Sequence, residues 1–194
     1  FTPTFRTHAQ LKPEPYHYPA QEKISKEFIK KRYEWLPYNY TLAYENATVG
    51  APLARPFNFN GENLDEKYAD IEDQYMWGDE MMIAPVMKKG ARSRKVIFPE
   101  GKWINWNNPK QTYKGGSEVV VSAPLSQLPM FVREGAFIPQ YLLPIENVTQ
   151  YDPTFLTVKY YPSAEETSFT LFEDDRTSTS TIENGAYQLI TFTG

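Results

Sequence analysis

Apolar residues at Ile29, Tyr33, Leu36, Tyr40 and Ala43 recur at spacings of four, three, four and three, which traces one face of an α-helix. The spacing predicts a helix from about Gln21 to Asn46, with Lys23, Lys26, Glu27, Lys30, Lys31 and Glu34 on its polar faces. Pro37 has no N–H to donate, so it should kink or split this helix after Leu36, and Gly50 should stop it. Ahead of the helix, Phe1 to Ala20 carries Pro3, Pro13, Pro15 and Pro19 and reads as an extended loop. After it, Ala51 to Phe59 reads as one buried strand running into a loop, and Asn60 to Lys67 is polar. Tyr68 to Trp77 is ambiguous, with one short helix as the reading.

Beyond Gly78 the pattern becomes that of β structure. Met81 to Val86 is an apolar run, followed by Lys95–Phe98, Trp103–Trp106, Glu118–Val121, Met130–Arg133 and Ala136–Ile138, each bounded by Gly, Pro or Asn. Short strands at roughly ten-residue spacing are the signature of a sandwich, whose core would take Phe98, Trp103, Trp106 and Phe131. A second β group follows at Phe155–Tyr160, Ser168–Phe172 and Tyr187–Phe192. The expected organisation is an α/β piece over 1–77, a β-sandwich over 78–150 and the opening of a further β domain over 151–194, in all an α+β chain.

Composition narrows the partners. Twenty Lys and Arg against 24 Asp and Glu give a net charge of −4, which argues against nucleic acid. No apolar run approaches the roughly 18 residues that would span a bilayer, so no membrane partner is expected. Without cysteine there is no disulfide, thiolate metal site or cysteine nucleophile, and His8 and His17 alone make a two-histidine zinc site improbable. The chain starts at Phe1 with no Met and no leader-like segment, and it is read as a fragment. Aromatic residues reach 15%, which suits either the stacking of sugar rings or a β-rich core.

Phosphate-binding loops, zinc-helix motifs and the nucleophile elbow are all missing from the sequence. Glycoside hydrolysis needs two carboxyls facing each other across a sugar, and neighbours on a strand point to opposite faces. Asp79-Glu80, Glu165-Glu166 and Asp174-Asp175 are therefore read as solvated turn residues rather than dyads. The triplets at Asn39, Asn46 and Asn147 match the N-glycosylation pattern, a weak signal by itself. His8 is the residue singled out. It lies two positions from Arg6 in a loop-like stretch, and a neutral imidazole can donate to or accept from a sugar hydroxyl or serve as a satisfied structural group.

Several stretches, in order, resemble glycoside hydrolase family 31, the α-glucosidases and α-xylosidases. Phe1 to His8 resembles F-x-P-x-x-R-x-H, and Glu14-Pro15-Tyr16 resembles E-P-W with Tyr for Trp. Lys31 to Thr41 resembles L-R-Y-x-L-L-P-Y-x-Y-T, and Gly50 to Pro56 resembles the last barrel strand, G-x-P-V-x-R-P. Asp73 to Asp79 with Ala84-Pro85-Val86 resembles D-x-Q-Y-M-x-G-D…A-P-V, and Pro129 to Pro139 resembles I-P-V-F-V-R-E-G-A-x-I-P. Phe172 to Asp175 resembles Y-E-D-D-G, with Arg176 where the family has Gly.

The resemblance implies the end of a (β/α)8 catalytic barrel over 1–77, then a proximal β-sandwich and a truncated distal one. It implies a retaining mechanism with an Asp nucleophile and an Asp acid/base, both upstream of Phe1, since no W-x-D-M-N-E string occurs here. No catalytic residue is expected within the chain. His8 is implied to hydrogen-bond the sugar in subsite −1, with no cofactor and no metal required. The implied partners are an oligosaccharide or glycoside substrate and the N-terminal remainder of the same enzyme, against which the 29–43 stripe would pack. The rival reading is a non-catalytic carbohydrate-binding or interaction module, which has no use for half a barrel wall.

Overall fold

The computed structural model describes residues 14–57, 59 and 66–194. Two helices open it, α1 (Pro19–Glu34) and α2 (Leu36–Val49), broken at Trp35. Pro37 falls in the first turn of α2, where its missing N–H costs nothing, so it starts a new helix rather than kinking one. Gly50 closes α2 in the left-handed conformation, its N–H donating to the Asn46 carbonyl at 3.1 Å.

The 29–43 stripe, expected to pack against the N-terminal remainder of the enzyme, is not the face covered within this chain. Ile29, Tyr33, Leu36 and Tyr40 are half-buried and Ala43 is exposed, whereas Trp35, Pro37, Tyr38, Thr41 and Leu42 are fully covered. Helix α2 is apolar on more than one side. Spacing alone selects a stripe without saying which neighbour is present to cover it.

The β region is built from β1 (Ala54–Arg55), β2 (Tyr75–Trp77), β3 (Met81–Ile83), β4 (Ser93–Ile97), β5 (Lys102–Asn105), β6 (Thr112–Lys114) and β7 (Glu118–Ser122), with a four-residue helix α3 (Glu66–Ala69) before β2. Then come β8 (Met130–Arg133), β9 (Phe137–Gln140), β10 (Thr157–Tyr160), β11 (Ser168–Asp174) and β12 (Tyr187–Thr193). An antiparallel sheet in the order β1-β2-β3-β8-β5-β6 is the centre; β4–β7, β9–β10 and β11–β12 form two-stranded ribbons. The strand expected over 51–59 shrinks to two residues, and Tyr68–Trp77 divides between the end of α3 and β2. Pro139 lies inside β9 because that strand pairs with β10 alone, so a missing N–H is tolerated.

Both faces of the central sheet are covered, which explains Met81-Met82-Ile83. Trp77, Met81, Ile83, Met130 and Val132 face one core with Trp35, Tyr38 and Leu42, joined by Phe137, Ile138, Phe169 and Leu171. Met76, Met82, Phe131 and Trp103 face the other, with Val96, Phe98 and Val121 from the β4–β7 side. A strand buried on both faces reads as a continuous apolar run, with no alternation. Trp106 departs from expectation. It is half-buried and sits edge-on to Trp35, with ring centroids 5.1 Å apart, on the helix side of the sheet rather than with Phe98, Trp103 and Phe131. The β2–β3 hairpin straddles the expected division at 77/78, so β1 and β2 share the sheet of the β region.

Candidate functional site

His8 lies outside the described residues. Within them, polar side chains converge where α2 meets the β2–β3 hairpin. Tyr38, fully buried, donates its hydroxyl to the Trp77 carbonyl at 2.5 Å and to Glu80 Oε2 at 2.6 Å. The Trp77 indole N–H in turn donates to Asn39 Oδ1 at 2.8 Å. Arg55, whose side chain is 3% exposed, reaches Glu45 on α2 at 2.5 Å and Asp79 at 2.6 Å, and its Nε donates to the Pro52 carbonyl. One guanidinium thus ties helix, strand β1 and hairpin together.

The hairpin turn requires glycine. Gly78 has φ 62°, and a Cβ there would lie 2.4 Å from the Tyr38 hydroxyl and 2.7 Å from Leu42 Cδ2. Any side chain would therefore strain the backbone and push α2 off the sheet. The W-G-D-E string carries this constraint, and Pro37-Tyr38 and Arg55-Pro56 supply its partners.

Burial pushes the Glu80 carboxyl up to about 7; the Tyr38 hydrogen bond pulls it down, and the negative charges of Asp79 and Glu45 push it further up. Burial likewise raises the Tyr38 hydroxyl well above its ordinary value, with Glu80 adding to the rise. Glu80 is half-buried at the edge of this seam between α2 and the hairpin, and its Oε2 accepts from the Tyr38 hydroxyl and from the Asp79 N–H. A cavity of about 240 Å³ beside it is lined by Glu80, Arg133, Glu134, Thr167 and Ser168.

The carboxylates singled out in sequence fall into two groups. Glu165 and Glu166 are exposed, as solvated turn residues should be. Asp79 and Asp175 are exposed as well, but they and the half-buried Glu80 and Asp174 are each engaged by hydrogen bonds or an ion pair. Asp174 accepts from Tyr40 and from Thr181, each at 2.7 Å. The Ser178 side chain, with the Ser178 and Thr177 backbone N–H groups, holds Asp175 down to about 2. The carboxylates held by Arg55, Tyr40 and Ser178 are engaged in holding the fold together. Among the described residues no three His, Cys, Asp or Glu side chains gather as metal ligands would. Arg176, where the resemblance has Gly, takes φ 57°, the left-handed conformation that suits glycine, and is held there by Glu173 and by the Tyr151 ring 4.0 Å away.

Comparison with known proteins places this seam. Residues 1–42 match the family model described as glycosyl hydrolases family 31 TIM-barrel domain, and residues 50–138 match the glycosyl hydrolase family 31 C-terminal domain. The chain belongs to glycoside hydrolase family 31. Residues 43–49, the second half of α2, lie between the two matches, and the contacts of Tyr38 and Asn39 join a stretch matched by the barrel model to one matched by the C-terminal-domain model.

Alpha-glucosidase 2 of Bacillus thermoamyloliquefaciens is 33% identical over 193 residues, 96% of this chain and 24% of that protein. The family 31 alpha-xylosidase of Xanthomonas citri superposes over 100% of this chain and 21% of its own, with 31% identity and a TM-score of 0.87. A family 31 dextranase of Flavobacterium johnsoniae, solved with isomaltotriose, covers 90% of this chain and 21% of its own, with 35% identity and a TM-score of 0.82. The chain therefore spans about a quarter of the length of the relatives it matches.

Proposed function

We propose that this chain is part of a retaining α-glycosidase that hydrolyses non-reducing-end α-linked glucose or a close relative such as xylose. The observation that carries the reading is the pair of family matches in their order along the chain, with relatives named α-glucosidase and α-xylosidase. In this reading the nucleophile and the acid/base both come from the N-terminal remainder of the enzyme, which is the chain's partner, and the bound glycoside is shared between them. His8 supplies a hydrogen bond to the sugar from the loop ahead of α1. The β region braces the barrel, and its boundary lies near Gly50 rather than at 77/78, because β1 and β2 belong to the central sheet. Residues 151–194 belong to the distal domain.

Two assays test this. The isolated chain is expected to give no turnover of an aryl α-glucoside or α-xyloside, since one histidine cannot replace a nucleophile and an acid. In the whole enzyme, His8→Ala should lower kcat/KM by about ten- to a thousandfold at unchanged thermal stability. Turnover by the pure chain would contradict the upstream placement of both carboxylates. Unchanged kinetics in the variant would make His8 structural.

A further inference from the structure

We propose that Asn147 is an acceptor for an N-linked glycan, the donor being a polyisoprenyl-diphosphate-linked oligosaccharide. The sequence holds three Asn-x-Thr triplets, at Asn39, Asn46 and Asn147, and by themselves they are equivalent. The structure separates them.

Asn39 is half-buried, and its Oδ1 holds the Trp77 indole at 2.8 Å. Its Thr41 is buried, donating to the Pro37 carbonyl at 3.0 Å and accepting from the Phe172 N–H at 3.1 Å. A glycan on Asn39 would have to break the joint between α2 and the β region. Asn46 is exposed, but it lies in the last turn of α2, and the Thr48 hydroxyl is turned to the Tyr44 carbonyl at 2.8 Å. Neither hydroxyl is free for its own asparagine.

Asn147, Val148 and Thr149 are all exposed, in the connection between β9 and β10. Asn147 is extended, with φ −154° and ψ 164°. The Thr149 hydroxyl donates to Asn147 Oδ1 at 2.5 Å and the Thr149 N–H donates to the same atom at 3.1 Å. Both donors go to the carboxamide oxygen, and among the described residues no hydrogen bond engages Nδ2. Thr149 is turned to its own asparagine and no buried partner among the described residues holds any of the three, so the whole triplet is open to a transferase. Nothing buried has to move to admit a sugar at this position.

In the transfer, Nδ2 attacks the anomeric carbon of the donor sugar and a C–N bond forms. The bond from that carbon to the diphosphate oxygen breaks, and the polyisoprenyl diphosphate leaves. The amide nitrogen gives up one proton to a base of the transferase. No oxidant or reductant takes part.

The test is expression of the full chain, behind a secretory leader and with a reporter triplet appended at its end, in a eukaryotic host. Total chain, retained and secreted, is deglycosylated enzymatically and mapped by mass, so that misfolding does not hide the answer. The expected result is conversion of Asn147 to Asp on deglycosylation, lost in Asn147→Gln and Thr149→Ala but kept in Thr149→Ser and Asn46→Gln. An unmodified Asn147 on molecules whose reporter triplet is glycosylated would overturn the proposal, as would glycan on Asn39 or Asn46 with Asn147 bare.

Discussion

Helices α1 and α2 follow one another with a single residue between them, yet they belong to the molecule in different ways. Helix α1 contains no fully buried residue, and its ion pairs, Lys26–Glu22 and Lys30–Glu27, are exposed. Helix α2 buries Pro37, Tyr38, Thr41 and Leu42 and is tied to distant strands. Tyr38 meets Glu80, Tyr40 meets Asp174, Thr41 accepts from the Phe172 backbone, and the Tyr44 ring stacks on Phe172 with centroids 4.3 Å apart. The difference teaches where a domain ends energetically. By its family match α2 begins in the barrel, but by its packing it is held by the β region, whereas α1 leaves its apolar positions only half-covered.

The largest expected effect comes from exchanging an apolar side chain on each helix, buried on α2 and half-buried on α1. Tyr38→Ala removes a fully buried ring and one of the two donors to Glu80, so urea unfolding should report a loss of about 3–5 kcal/mol. Ile29→Ala on α1 should cost less than about 1 kcal/mol. Equal losses would erase the distinction between the helices.

The next effect is on pH dependence. The Glu80 carboxyl titrates near 7 when folded, above its ordinary 4.5, so the folded state holds the proton more tightly than the unfolded one. Its contribution to stability is full below 4.5, declines as pH rises from there through 7, and above 7 the fold carries the whole cost of an ionised carboxylate in the seam. A shift of this size corresponds to about 3 kcal/mol. Thermal unfolding between pH 4.5 and 8 should fall in the wild type and fall less in Glu80→Gln, which cannot ionise. Parallel curves would remove Glu80 as the cause.

Smaller still is Arg55→Ala, expected to cost about 2 kcal/mol. The guanidinium is buried but the Asp79 side chain is 54% exposed, so solvent screens half of the cluster. The smallest is Lys26→Ala on α1, where the partners are 66% and 37% exposed and the expected change is below about 0.5 kcal/mol. A double-mutant cycle of Arg55 with Glu45 set against one of Lys26 with Glu22 sharpens the contrast.

Much of the fold was legible in the sequence. Turn residues every ten positions marked β4, β5, β7 and β8 to within a residue or two, and Pro37 marked the break between the helices. The β6 strand went unseen because Thr112-Tyr113-Lys114 is short and lies between turns with no alternation to read. The face of α2 that packs on the sheet is not legible because both of its sides are apolar, and only the position of the sheet decides which is covered. The motif residues of the seam were visible as family resemblances, but the bonds between Tyr38 and Glu80, or between Arg55, Glu45 and Asp79, join positions up to 42 residues apart. No local pattern announces such a pairing. Asp79 and Glu80 are the turn pair the sequence suggests, yet each is also held by a different element.

Native-state hydrogen exchange tests the central claim, that α2 is energetically part of the β region and α1 is not. Local opening free energies should place the α2 amides around Leu42 with those of β3 and β8, near the global unfolding free energy, and the α1 amides around Ile29 several kcal/mol lower. Amides of α1 and α2 exchanging at the same free energy would contradict the account.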